Sequence, residues 1–160
     1  MKEPSTRIFL GCVAGAISVL AFHETTLQVF FWFGWAPQAA FRMANVPPLH
    51  APLVASITFW GAVYGGVFGL LLPWVRGPLW LKGMVAGLCA MTLSWFLFLP
   101  LMGHAAAFGW RPQPMLRSFI AYQMWGIGLT LVLPRLLPRQ PKGPAGRWNG
   151  RRLPPDAQSA

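Results

Sequence analysis

The hydrophobic residues of this chain are gathered into four long runs, which are separated by polar and proline-rich connections. An apolar stretch of about 20 residues is long enough for a helix to cross the hydrocarbon core of a membrane. The first run continues well beyond the roughly 7–15 apolar residues of a cleaved signal peptide, so we expect a retained helix. We predict four membrane-spanning helices over residues 8–32, 53–74, 81–102 and 115–133.

The connections between these runs divide the chain further. Residues 34–52 contain four prolines, and we expect a short interfacial helix at residues 38–44. The segment 135–160 is rich in Pro, Gly and Arg, a composition that cannot form a packed core, so we expect a disordered tail. The sequence therefore predicts one all-α transmembrane domain, a four-helix bundle over residues 1–134, followed by a basic tail, residues 135–160.

Composition supports an integral membrane protein. Of the 160 residues 55% are hydrophobic and 10% are charged, whereas soluble proteins carry about 25% charged residues. The net charge of +10 does not indicate nucleic-acid binding, because the basic residues flank the apolar runs and fill the tail. In those places they contact the lipid bilayer, and we expect the tail to bind anionic lipid headgroups.

The distribution of basic residues predicts the orientation in the membrane. Ten of the thirteen lysines and arginines lie in the N-terminus, the 75–82 connection and the tail, and three lie in or beside the other two loops. Cytoplasmic loops carry the excess of positive charge. We therefore expect both termini in the cytoplasm, with the two longer loops outside.

Short motifs recur in the same order in the two halves of the chain. They indicate two tandem helical hairpins, a parallel repeat whose axis lies along the membrane normal. Glycines four residues apart accompany these motifs, and small residues at this spacing let membrane helices approach closely. The matching motifs are GCVAG at 11–15 with GMVAG at 83–87, FGWAPQ at 33–38 with FGWRPQ at 108–113, and WG at 60–61 with WG at 125–126. The glycines that we expect in helix packing are Gly11, Gly15, Gly61, Gly65, Gly69, Gly83 and Gly87.

His23 and Glu24 stand next to each other late in the first apolar run. A charged side chain at membrane depth costs a few kcal/mol, so it usually has a partner or a function. With a rise of about 1.5 Å per residue from Ile8, Glu24 lies about 24 Å from the cytoplasmic edge of a hydrocarbon core about 30 Å thick. This places it in the outer third of the membrane. Polar residues of the other runs reach a similar depth. The candidate polar or ion site consists of His23, Glu24, Gln28, Ser94, Tyr122 and Gln123.

Three interpretations of this polar layer stay open: a hydrogen-bonded structural cluster, a proton or ion site, and a metal or haem site. For metal binding the weak candidates are His23, His50 and His104, which all fall in the predicted outer half. No HxxxH or CxxC spacing joins them. We therefore expect no metal and no cofactor.

Motifs of enzymes are absent from the sequence. It has no glycine-rich phosphate loop, no GxSxG and no paired carboxylates. We expect a non-enzymatic membrane subunit, accessory or structural, that associates with itself as a homo-oligomer or with another membrane protein. The alternative is a small transporter, or a protein that handles protons or metal ions, using the layer around His23 and Glu24.

Residues 15–23, GAISVLAFH, and residues 59–61, FWG, carry a resemblance to a known group. There the chain resembles small uncharacterised bacterial inner-membrane proteins with four predicted spans. The similarity covers residues 8–134 and leaves out the tail. It implies the four-span topology, a bacterial origin and a location in the inner membrane, and it implies no catalytic residue because this family has no established activity.

Overall fold

A computed structural model describes residues 3–46 and 50–137 of the protein, which are mostly helical. The described residues contain four helices that are long and apolar enough to cross a membrane, as the hydrophobic pattern predicts. We number these helices α1 to α4 in chain order: Pro4–Trp32, Leu53–Leu71, Leu79–Leu101 and Pro112–Leu136. Together they indicate a multi-pass membrane protein.

The helix ends follow the prolines. α1 and α4 begin at Pro4 and Pro112, where a missing N–H is tolerated because the first turn of a helix leaves its N–H groups free. α2 ends at Leu71 instead of residue 74, just before Pro73. α4 runs past Pro134 to Leu136, so the helix includes the first two residues of the predicted tail. Leu137 forms a bend after the helix, and the rest of the predicted tail, residues 138–160, lies outside the described residues.

Two helices contain a π-helical segment that the hydrophobic pattern does not reveal. In α1 it covers Val19–Glu24, and in α3 it covers Ser94–Phe98. π-Helical turns are rare and often occur at functional sites. Both segments lie in the second half of their helix, the half that leads into a long connecting loop, residues 33–52 after α1 and residues 102–111 after α3.

The helices pack mainly in two pairs. α1 lies along α2 and α3 lies along α4, while α1 also contacts α4. α2 and α3 contact each other at few positions. α4 is the central helix. In its most apolar stretch of 18 residues, 44% of the residues are buried inside the protein, compared with 28% in the same stretch of each of the other three helices. The largest fully buried side chains of α4 are Leu129 and Leu133.

The predicted packing glycines all face another helix of the same chain. Gly11 meets the backbone of Gly65, and Gly15 meets that of Gly61. A methyl group on Gly11, Gly15 or Gly65 would collide with a carbonyl oxygen, and one on Gly61 would collide with the Val19 side chain. α3 and α4 meet in the same way at Gly83 and Gly126. Two further contacts of glycine with backbone are Gly69 with Arg7 and Gly87 with Tyr122. Close approach of the backbones therefore holds both helix pairs together.

The first long loop differs from the sequence prediction. Residues 38–44 form bends instead of an interfacial helix, so that expectation is wrong. The loop instead binds the first two N–H groups of α2. The N–H of Leu53 donates a hydrogen bond of 2.9 Å to the carbonyl oxygen of Ala44, and the N–H of Val54 donates one of 3.1 Å to that of Arg42. A two-residue antiparallel pairing of Asn45–Val46 with Ala51–Pro52, absent from the all-helical prediction, closes the loop.

The second long loop contains a left-handed turn. Residues 107–110 all have positive φ angles, from 46° at Ala107 to 65° at Gly109. A non-glycine residue in this region costs about 1–2 kcal/mol. Ala107 is completely buried, and the Phe108 ring lies edge-on to Trp95, with centroids 6.4 Å apart. Packing against α3 therefore offsets the backbone strain.

Candidate polar site and adjoining cavity

Glu24 lies at the end of the π-helical segment of α1 and is only 3% exposed. Its Oε1 atom is 3.2 Å from Nδ1 of His23. Its Oε2 atom accepts a hydrogen bond of 2.7 Å from the backbone N–H of Phe41, in the first long loop. Both carboxylate oxygens therefore have a partner within the chain, as a buried acid requires.

Gln28 acts in the same way one turn later. Its Oε1 atom accepts a hydrogen bond of 3.0 Å from the backbone N–H of Ala40. Side chains four residues apart share a helix face, so Glu24 and Gln28 together bind two successive N–H groups of the loop. Phe41 adopts a φ of +56°, which departs from ordinary extended backbone. Two side chains of α1 thus fix the path of the loop.

The loop therefore folds back along α1. Glu24 lies about 12 Å before the end of this helix at Trp32. Backbone groups at membrane depth have no water to bond, so they require partners from the protein. The loop is also tied to α4, because the Arg117 guanidinium donates a hydrogen bond to the carbonyl oxygen of Trp35. The Trp35 ring stacks on Phe30 of α1, with centroids 5.8 Å apart.

The six predicted site residues do not form one cluster. Glu24 and Gln28 bind the loop, whereas three others line a cavity on another side of α1: His23, Ser94 and Tyr122. The rings of His23 and Tyr122 meet edge-on with centroids 5.2 Å apart.

The sixth residue, Gln123, is buried elsewhere. It is 9% exposed, and its backbone lies beside Gly87 of α3. It is not among the residues that line the cavity. The predicted layer is therefore divided into a loop-binding part and a cavity-lining part, and His23 is in contact with both.

The cavity has a volume of about 480 Å³ and lies between α2 and α3. Val19 and His23 of α1, together with Tyr122 and Trp125 of α4, form its floor. It is lined mainly by apolar and aromatic side chains. Since α2 and α3 touch at few positions, the space between them is not filled by side chains.

Four aromatic residues of this cavity are absent from the predicted site: Phe98, Trp125 and, on α2, Trp60 and Tyr64. The cavity side of α2 is a stripe of residues four apart, Ser56, Trp60 and Tyr64, which runs next to the glycine stripe. That spacing is the sequence signal that would have identified them. The hydroxyl group of Tyr64 is buried, and it has no hydrogen-bond partner among the described residues.

The histidines do not assemble into a metal site. Within residues 3–46 and 50–137, no group of three His, Cys, Asp or Glu side chains comes together. His50 and His104 are exposed in the two long loops. Among the three, His23 alone lines the cavity.

Comparisons of the chain with models of known protein families, with curated proteins and with solved structures gave no match. The resemblance to four-span bacterial inner-membrane proteins therefore stays a prediction. The class that the structure supports is a multi-pass membrane protein with four helices long and apolar enough to span the bilayer.

Proposed function

We propose that this chain is a non-enzymatic accessory subunit of a bacterial inner membrane, a four-helix bundle with both termini in the cytoplasm. The two glycine-mediated helix pairs, α1 with α2 and α3 with α4, support an arrangement as tandem hairpins. The π-helical segments support it too, since each lies in the first helix of its pair, at Val19–Glu24 and Ser94–Phe98.

The observation that carries the structural role is the state of Glu24. Both of its carboxylate oxygens are bound, by His23 and by the Phe41 N–H, and its side chain is almost completely buried. A transport site must bind and release its ion, whereas this carboxylate is occupied by the protein's own backbone. Glu24 therefore serves to hold the first long loop against α1.

Association with another copy or another membrane protein would use surfaces other than the glycine stripes. The glycine stripes already pack against each other within the chain, at Gly11, Gly15, Gly61 and Gly65. The apolar side chains that remain free on α2 include Phe59 and Val67, which are 54% and 50% exposed. In the same proposal the bilayer covers these faces, and the basic tail, which the structure describes only as far as residue 137, binds anionic headgroups.

The second candidate is a small transporter or a protein that handles protons or metal ions. The position of His23 favours it, because one side chain both contacts Glu24 and lines the cavity. An imidazole has two ring nitrogens, one that donates and one that accepts a hydrogen bond, so it can pass a proton between two such environments.

Flux through reconstituted protein separates the two candidates. Purified protein in liposomes would be given a proton gradient, and then a gradient of K⁺, Na⁺ or a divalent metal ion, with an internal dye as the readout. The accessory role predicts fluxes equal to those of empty liposomes. A flux that Glu24→Gln abolishes, while Thr25→Ala of the neighbouring exposed residue leaves it intact, would overturn the accessory role and establish the second candidate.

A further inference from the structure

The cavity between α2 and α3 has the size and the lining of a ligand site. Its volume of about 480 Å³ falls within the range of about 300–1,000 Å³ that is typical of small-molecule sites. The rings of Trp60 and Phe98 bridge α2 and α3, with centroids 4.6 Å apart. These aromatic walls suit a flat or chain-like apolar body.

The polar groups of the cavity define the chemistry of its ligand. The described residues that line it include no Lys, Arg, Asp or Glu, so nothing there would neutralise a charged headgroup. The polar side-chain groups present are hydroxyls, one imidazole and two indole N–H groups, of which that of Trp125 is already bonded to the Gly15 carbonyl oxygen. They are carried by Ser56, Tyr64, Ser94, Tyr122, His23, Trp60 and Trp125. Hydroxyl groups can donate a hydrogen bond to an uncharged oxygen.

Tyr64 supplies an independent sign that a partner is missing. Its hydroxyl is buried and lacks a hydrogen-bond partner among the described residues. Buried hydroxyl groups are nearly always hydrogen-bonded, and leaving one without a partner costs about 1–3 kcal/mol. Tyr64 lines the cavity while its hydroxyl is covered, so a turn of its ring toward the cavity would let a ligand oxygen bound there satisfy the hydroxyl.

We propose that this cavity binds a neutral, membrane-soluble molecule that has an apolar body and a carbonyl oxygen. The carbonyl accepts a hydrogen bond from Tyr64, and the apolar body lies against the wall that Trp60 and Phe98 form together. The ligand enters from the bilayer between α2 and α3, where the two helices touch least. A quinone ring and the ester region of a glycerolipid both carry this chemistry. Binding does not depend on the role of Glu24.

Equilibrium binding to the purified full-length chain in maltoside detergent, which has no carbonyl group, tests the proposal. The two probes are a benzoquinone with a ten-carbon tail and a diacylglycerol, titrated separately and detected by native mass spectrometry. At least one of them binds saturably, with one molecule per chain. Binding of the quinone alone identifies a ring ligand, and binding of the diacylglycerol alone identifies an acyl ester.

Three variants then locate the bound probe. Ser56→Phe fills the cavity and weakens binding by about tenfold or more, because a clash excludes the ligand. Val67→Phe places the same ring on the exposed side of the same helix and leaves binding unchanged. Tyr64→Phe removes only the hydroxyl and weakens binding by about 2- to 10-fold, the loss expected for one hydrogen bond.

Two results overturn the proposal: no saturable binding of either probe to the unmodified chain, or equal binding by Tyr64→Phe, Ser56→Phe and Val67→Phe. If Ser56→Phe does not fold, Tyr64→Phe decides alone. Its lost hydroxyl holds nothing in the described structure, so the folded state tolerates the change and any loss of affinity belongs to the ligand.

Discussion

The indole Nε1 of Trp125 donates a hydrogen bond of 3.1 Å to the backbone carbonyl oxygen of Gly15. The same carbonyl also accepts the N–H of Val19 within α1. Gly15 is in backbone contact with Gly61 of α2, so α1, α2 and α4 meet at this point. A side chain on Gly15 would collide with the backbone of Gly61, so its absence is what lets α2 approach α1 at this point.

Trp125→Phe should destabilise this meeting point without introducing a clash. The phenyl ring retains most of the packing but cannot donate a hydrogen bond, and such a bond between membrane helices contributes about 0.5–2 kcal/mol. We expect a loss of that size in the free energy of unfolding, measured by titration with sodium dodecyl sulfate in mixed micelles. Trp74→Phe, at a residue that is 69% exposed, is the control, and an equal loss there would refute the role of the hydrogen bond.

Gly65→Ala should separate α1 from α2. A methyl group at Gly65 would lie 2.8 Å from the Gly15 Cα atom and would also collide with the carbonyl oxygen of Gly11. Neither atom belongs to a flexible side chain, so the helices must move apart, at a cost of about 1–3 kcal/mol.

Thermal unfolding in detergent, followed by circular dichroism, measures this cost. Val67→Leu, on the exposed side of the same helix, is the matched control and should leave the midpoint unchanged. Equal midpoints for Gly65→Ala and the unmodified chain would show that the close approach at this glycine is not needed for stability.

The helices could be predicted because run length and apolar composition are local properties of the sequence. The bilayer requires about 20 apolar residues for a span, and residues 3–46 and 50–137 contain four such helices. The glycines could be predicted because a spacing of four places small residues on one face. Their partners could not, since the spacing gives a face of one helix and leaves open which neighbour lies against it.

The candidate site was predicted only in part, and the reason lies in the loop. Glu24 and Gln28 were identified from polarity and spacing, but their partners are backbone N–H groups of Phe41 and Ala40. Every residue except proline has such a group, so the sequence marks none of them as a partner. The π-helical turn at Val19–Glu24 was missed for a similar reason, because its side chains are compatible with an ordinary α-helix.

The two FGW motifs show a further limit of sequence matching. Gly34 and Gly109 both adopt positive φ angles, of 72° and 65°. In the second loop Ala107, Phe108 and Trp110 are left-handed as well, whereas Phe33 in the first loop has a φ of −86°. Equal residues therefore take different paths, because the first loop is bound to α1 by side chains and the second packs on Trp95.

The orientation predicted from the basic residues can be tested by cysteine labelling. Single cysteines would replace Ala39 in the first long loop or Val75 in the short connection, after Cys12 and Cys89 are changed to alanine. With both termini in the cytoplasm, a membrane-impermeant maleimide labels position 39 in bacterial cells whose outer membrane has been made permeable. Position 75 reacts only after the inner membrane is disrupted. The opposite pattern would place both termini outside.

Loss of the Glu24 carboxylate should release the first long loop. Glu24→Ala removes the acceptor of the Phe41 N–H, a charge-assisted hydrogen bond worth about 1.5–3 kcal/mol, so the exchange rate of that amide hydrogen should rise by about tenfold or more. Glu24→Gln keeps one oxygen that can accept the same bond, and it should raise the rate much less. Ala40 should be less affected, because Gln28 still binds its N–H. Residue-resolved hydrogen–deuterium exchange in detergent measures both amides, with Thr25→Ala as the neighbouring control. Equal exchange at Phe41 in Glu24→Ala and in the control would disprove that the carboxylate holds the loop.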